Sequence, residues 1–505
     1  MKIPGLLAAA CLLLLSAGWA PAQSPPAPLS EKTQACLECH REVTPGIVAD
    51  WQRSRMARTT PARALQAPEL KRRISVRAGA LSPELMKVAV GCAECHTMRP
   101  GEHPDTFDHE GEAVHTVVTP PDCAVCHPVE ESQYQENLMS RAWVNFTQNP
   151  LYQDLAAHIN GVRSLDEKGR LQHRAPTPGD SAEACLYCHG TEVKVIGKET
   201  REVGDYGEMS FPKLSGWPNR GAGRKNPDQS LGSCTACHTR HQFAMHLARQ
   251  PQTCAQCHKG PDVPAYKVYQ VSKHGNIYNA LKGEWDFKSV PWTVGRDFTA
   301  PTCAACHASL LVDGQGQVLA RRSHKMADRI WVRLLGLVYS HPHPADPDTS
   351  IIKSPDGLNL PTALDGRLAK RFLITPAQQA KRRSRMEKVC LSCHSTQWVR
   401  GQLGRLEDSI RSSDAMVASA TGLLARAWKL GLAQGPAQGS SPFDEYIESL
   451  WVAQWLFYAN STRLASAMMG ADLGVFENGR WSTATTLAHM QDWLRLHSQR
   501  APQRP

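Results

Sequence analysis

A chain of 505 residues with 41% apolar residues, 36 glycines and 35 prolines holds modest core-forming material for its length. Past Ala20 no apolar stretch reaches the roughly 20 residues that cross a bilayer, which excludes a helical membrane protein. A formal charge of +10 raises nucleic acid or an anionic membrane surface as a partner, but the cysteines supply a different account.

In chain order, Met1-Lys2, an apolar run from Leu6 to Ala20 and the small residues Ala20-Pro21-Ala22 read as a cleaved secretory signal over 1–22. Cys11 lies inside that apolar run and goes with it. The mature protein is expected to be exported, to the periplasm or beyond. Residues 23–375 carry seven Cys-x-x-Cys-His copies: Cys36/Cys39/His40, Cys92/Cys95/His96, Cys123/Cys126/His127, Cys185/Cys188/His189, Cys234/Cys237/His238, Cys254/Cys257/His258 and Cys303/Cys306/His307. The eighth, Cys390/Cys393/His394, opens the region 376–505, where no further cysteine occurs. Intervals between the copies are too uneven for a structural repeat. Segments such as Pro176-Thr177-Pro178-Gly179 and His341-Pro342-His343-Pro344 read as loops. In the tail, Leu403, Leu406, Ile410, Val417, Leu424 and Trp428 recur at helical spacing over 402–430 and stop at Gly431. Ser441-Pro442-Phe443-Asp444 reads as the capped start of a second helix running to about Met469. Leu487, Met490, Trp493 and Leu494 mark a third helix, ending near His497. The expected fold is mainly α with extensive irregular loops: a multihaem stack followed by a C-terminal helical bundle.

The chemistry follows from the motif. Two thiols three residues apart add to the vinyl groups of a porphyrin, and the next histidine reaches the iron from one face. Structural zinc would need two such pairs per metal and would not require a histidine after each second cysteine. Eight motifs predict eight covalent haem c groups. Each ferric haem with ionised propionates brings about −1, which offsets most of the +10 and removes the case for nucleic acid.

Of 21 histidines, 13 lie outside the motifs, enough to close every iron from its second face. A haem with histidine on both faces moves electrons; one with an open face can transform a small molecule. By position, His241, His246, His274, His324, His341 and His343 are the first candidates for distal ligands, with His103, His115 and His158 next. After the first motif the stretch Trp51–Ala57 offers no histidine but does offer Met56, the candidate for that iron. His489 and His497 fall on the third tail helix, as surface or core residues.

Eight motifs, Cys237-His238-Thr239-Arg240-His241, Ser272-Lys273-His274-Gly275, Ala300-Pro301-Thr302-Cys303 and the helical tail together resemble the octahaem hydroxylamine oxidoreductase family. The resemblance implies seven closed haems and an open fourth, held by Cys185, Cys188 and His189. It also implies an aspartate, a histidine and a tyrosine around the open face. Gly260-Pro261-Asp262-Val263 keeps the aspartate but lacks the adjoining histidine; Tyr339 matches the tyrosine, and His343 is a candidate proton donor in place of the missing imidazole. In oxidising members a tail tyrosine of a neighbouring subunit is bonded to the catalytic porphyrin. No tyrosine follows Tyr458 here, so the chain resembles the reductive members.

The expectation is therefore reduction of nitrite or hydroxylamine towards ammonia, with electrons from a periplasmic or membrane-attached donor such as a cytochrome or quinol-linked protein. The resemblance implies a homotrimer built through the tail. Hydroxylamine oxidation, reduction of sulfur oxyanions such as tetrathionate or sulfite, and a non-catalytic electron conduit are the competing expectations.

Overall fold

The structure is a computed structural model and describes residues 26–500. The expected signal segment 1–22 lies outside the described residues. Helices dominate, most of them one or two turns long in the first 375 residues, and the strands are short. They form hairpins Thr106–His109 with Glu112–His115, Val162–Leu165 with Leu171–Arg174, and Lys194–Glu202 with Glu208–Ser215. A small three-stranded sheet has Leu311–Val312 at its centre, flanked by Trp292–Thr293 and Val318–Ala320.

The motifs sit on short helical turns because spacings of three and four residues place both thiols and the histidine on one helical face. Cys92–His96 is started by the Gly91 N–H donating to Glu94 Oε2 at 2.8 Å. Pro120–Ala124 is started by the Thr119 N–H donating to Asp122 Oδ2 at 2.7 Å, with proline in the first turn. Cys303–His307 follows Thr302, whose hydroxyl is tied to the Arg249 carbonyl at 2.8 Å.

The tail is the largest regular part. Thr396–Lys429 spans 34 residues, starting six residues before the apolar spacing does, because Ser395 caps it by accepting from the Trp398 N–H at 3.3 Å. It ends before Gly431, which takes the left-handed φ of +66° that glycine adopts without strain. The second helix corrects the sequence expectation. Ser441 to Asp444 form a turn, and the helix opens at Tyr446 with Glu445 as cap, its N–H donating to Glu448 Oε2 at 2.8 Å. Helical winding continues through a wider π-helical stretch, Ala453–Ala459, into Asn460–Met468. The last helix is Arg480–Arg500.

These helices enclose Val417, Ala420, Leu424, Ile447, Trp451, Trp455, Ala459, Met490 and Leu494, and Val338, Tyr339 and Leu360 from the preceding region join the same core. Trp451 and Trp455, each 1% exposed, thus belong to the interior. Among the described residues no helix is long and apolar enough to cross a membrane.

Candidate multihaem site

A continuous cavity of about 2190 Å³ runs through the middle of the chain. Cysteines from motifs two to eight line it, joined by His127, His189, His238, His258, His307 and His394. Neighbouring motifs meet through their thiols. Cys123 lies beside Cys234, Cys188 beside Cys257, and Cys254 beside Cys303, joining motif three to five, four to six and six to seven. Cys36 neighbours Cys92, Cys95 neighbours Cys126, Cys237 neighbours Cys254, and Cys306 neighbours Cys390. The spatial order is therefore one, two, three, five, six, with four on a branch from six and seven and eight on another.

The first motif stands apart from the others. Cys36 and Cys39 stand outside the cavity, as does Cys92, because the helix Glu31–Val43 packs on the outer side of the Cys92–His96 turn. Cys39, half-buried, lies beside the exposed Tyr206, from the short turn Gly204–Tyr206 at the tip of the long hairpin. That hairpin is brought over the first motif by Phe211, whose ring lies 5.6 Å from Phe107.

Four motif histidines face a second imidazole. Ring centres are 6.0 Å apart for His40 and His109, 6.5 Å for His96 and His241, 6.4 Å for His238 and His324, and 6.1 Å for His394 and His274. Two metal–nitrogen bonds of about 2 Å plus two ring radii give roughly this separation, so the donor sets fit an iron held between the rings. With the thiol pairs and the apolar cavity, the residues present fit covalent haem.

Local sequence explains the pairs. Ser272 caps Lys273–Leu281 by accepting from the Gly275 N–H at 3.1 Å, which puts His274 in the first turn, facing His394. Gly275 is required because any Cβ there would stand 1.9 Å from the Tyr269 carbonyl oxygen. His109 ends the strand Thr106–His109, beyond which Glu110 and Gly111 turn the hairpin with positive φ. Backbone and hydroxyl oxygens orient the motif rings: His40 Nδ1 lies 2.9 Å from Thr44 Oγ1, His96 Nδ1 2.8 Å from the His115 carbonyl and His189 Nδ1 3.3 Å from that of Ala142.

Several predicted residues stand elsewhere. His109, which position along the chain did not single out, occupies the place opposite His40 that Met56 was expected to take; Met56 lines the central cavity in a short turn, Met56–Arg58. His115 has its ring nitrogens 3.3 and 3.0 Å from the carbonyls of Val117 and Met98, its ring centre 6.0 Å from that of His96, and its own carbonyl on His96 Nδ1. Burial lowers the proton affinity of His103, but the flanking Asp105 and Asp122 carboxylates override it and raise its pKa to about 9. A protonated imidazole has no lone pair for iron. His158 points its Nε2 at Ser449 Oγ, 3.1 Å away, and its Nδ1 at Arg163. His246 lines the cavity.

Around the fourth motif the neighbours differ. The ring nearest His189 is Phe146, 4.9 Å away. Asp262 lines the cavity and is close enough that its charge acts on Cys185, Cys188, His189 and His258. Tyr339 does not join it: its hydroxyl donates to the Leu364 carbonyl at 2.8 Å inside the tail core. Several phenols line the cavity, among them Tyr187 inside the motif, Tyr266 beyond Asp262, and Tyr152, which is pushed above the usual range by burial and drawn back by the charge of Arg333. His341 and His343 are held neutral, their pKa values lowered by burial to about 3, with Nδ1 on the Pro342 and Pro344 carbonyls at 2.7 and 2.9 Å. A ring that stays neutral fits a metal ligand better than the proton donor considered for His343.

Comparison with known proteins agrees with this architecture. The family "Seven times multi-haem cytochrome CxxCH" matches residues 222–324. A probable nitrite reductase-hydroxylamine oxidoreductase fusion protein of Kuenenia stuttgartiensis is 25% identical over 422 residues, covering 81% of this chain and 39% of that protein. The chain thus spans well under half the length of that relative. A solved structure described as a hypothetical multiheme protein is 40% identical, with a TM-score of 0.87 over 94% of this chain and 97% of that one. A reducing hydroxylamine-oxidoreductase-like complex of Kuenenia stuttgartiensis shares the fold at a TM-score of 0.61 and 18% identity, over 93% of this chain and 86% of that one.

Proposed function

The chain belongs to the multihaem cytochromes c of the hydroxylamine oxidoreductase family, and from that premise we propose that it is an exported octahaem enzyme reducing nitrite or hydroxylamine towards ammonia at its fourth motif. The observation that carries the reading is the company of His189: among the described residues no second imidazole faces it across a gap that would hold an iron, as is also so of His127, His258 and His307, and a carboxylate, Asp262, and a guanidinium, Arg333, lie close enough for their charges to act on it.

Bound at this motif, a haem supplies electrons and one free coordination position to a small nitrogen compound. The chain does the rest. His189 is oriented through Nδ1 by the Ala142 carbonyl, which keeps Nε2 for the metal. Asp262 shuttles protons at its carboxylate oxygens, and its loop is fixed by the Asn460 amide donating to the Asp262 carbonyl at 3.1 Å. Tyr152 holds its proton under working conditions and donates a hydrogen bond into the site. Haems held at the other seven motifs would supply the relay of electrons, and His109, His241, His324 and His274 would join the motif histidines in holding those of motifs one, two, five and eight. The electron donor is a cytochrome or quinol-linked protein, and the assembly is a homotrimer.

The test is turnover by the purified holoprotein with a chemically reduced dye as donor. Ammonium formation from nitrite or hydroxylamine is expected, together with a high-spin iron in the resting spectrum. Inertness towards both, with every iron six-coordinate, rejects the reading and leaves an electron conduit. Preferential turnover of tetrathionate or sulfite moves the enzyme to sulfur chemistry.

A further inference from the structure

The interior of this molecule is rich in arginine, and most of those guanidinium groups are already occupied. Arg249 donates to the Phe287 and Ser289 carbonyls, Arg329 to those of Ala305, Cys306, Ser309 and Arg321, and Arg224 to Asn219 and Asn226. Arg463 is paired with Asp414. Each of these staples backbone or cancels a charge.

Arg333 differs. It lies on the two-residue strand Val332–Arg333, in register with His341 of His341–Pro342, and its side chain lines the cavity. Its Nε donates to the Leu335 carbonyl at 3.3 Å, which fixes the plane of the guanidinium. Among the described residues its guanidinium forms no ion pair and no hydrogen bond besides that one, and the side chain lines the cavity. Its charge reaches His189, His258 and Tyr152, which places it on the fourth-motif side of the void. A cation held here without a carboxylate partner is costly unless an anion completes the site. The planar fork of a guanidinium matches two oxygens of one anion.

We propose that Arg333 is the anion-recognising residue of the fourth-motif site, binding the two oxygens of nitrite and giving the pocket a preference for an oxyanion over a neutral nitrogen compound. This rests on the reading that substrate binds at the fourth motif. Tyr152, beside Arg333, supplies the adjoining hydrogen bond.

The experiment is optical titration of the oxidised holoprotein with nitrite, which is anionic near neutral pH, and with hydroxylamine, which is largely uncharged, for the natural protein, Arg333→Gln and Arg333→Lys. Arg333→Gln is expected to weaken nitrite binding by about ten- to a hundredfold while hydroxylamine stays within about twofold, with partial recovery in Arg333→Lys. Equal loss for both ligands, with a shifted reduction potential, overturns the proposal and assigns Arg333 to a haem carboxylate. An unchanged nitrite affinity overturns it as well. A natural protein that binds neither ligand sinks the fourth-motif reading itself, a result separable from either.

Discussion

His109 and Met56 are both within reach of the first motif along the chain, and the hairpin Thr106–His115 decides between them by carrying His109 back over His40. His109→Ala is expected to turn one low-spin haem high-spin and alter its potential, whereas Met56→Ala leaves both unchanged; resonance spectra with a redox titration check this. Asp262→Asn keeps the shape of the side chain and removes its proton traffic. Loss on the order of 10²–10⁴-fold in nitrite turnover, with nitrite affinity nearly unchanged, is the expected pattern, read from kcat against KM.

At the scale of elements, the tail helices are joined by buried polar groups as well as by apolar packing. The Arg463 side chain is fully buried, donates to the Leu334 carbonyl and to Asn460 Oδ1, and pairs with Asp414 on the long helix. Arg463→Ala leaves Asp414 without its counter-charge and is expected to cost about 3–5 kcal/mol in chemical unfolding of the holoprotein. Glu448, buried under Trp428, whose Nε1–H donates to it at 2.8 Å, has its pKa raised from 4.5 to about 7, chiefly by burial. An acid raised in the folded state binds more protons there than in the unfolded chain between those two values. Its contribution is therefore complete below pH 4.5 and is lost as pH climbs through about 7. Unfolding midpoints measured across that window should fall with rising pH, and Glu448→Gln should flatten the trend.

Element by element, the sequence was readable where chemistry or periodicity is local. The eight motifs, the third tail helix and the stop at Gly431 are visible as strings of residues. The start of the second helix is not, because a serine-proline pair signals a cap equally well in a turn, and here Glu445 and Glu448 form the reciprocal pair instead. Nor does a motif announce its depth: Cys39 and Cys95 both stand in a Cys-x-Glu-Cys-His string, yet only Cys95 reaches the cavity. Distal histidines are the least readable, since a ligand needs only to arrive at an iron. His241 follows the fifth motif in sequence yet faces His96 of the second, and His324 follows the seventh yet faces His238 of the fifth. Tyr339 was placed by its neighbours in the chain, whereas Tyr152 reaches the cavity from a helix, Pro150–Asn160, whose pattern announces nothing.

For the whole molecule, the cavity means that folding and haem attachment are one process. Without porphyrin, a void of about 2190 Å³ cannot persist at the density of protein interiors. Chain made in cells lacking the attachment machinery is expected to keep much of its far-ultraviolet helical signal from the tail but lose near-ultraviolet tertiary signal. The branched order of the motifs carries a last implication. Cys257 meets Cys188 and Cys254 meets Cys303, so the sixth position is a junction that both long arms must traverse to reach the fourth. Traffic from either terminus would converge on a single final hop, and one histidine, His258, would act as the throttle for the entire circuit.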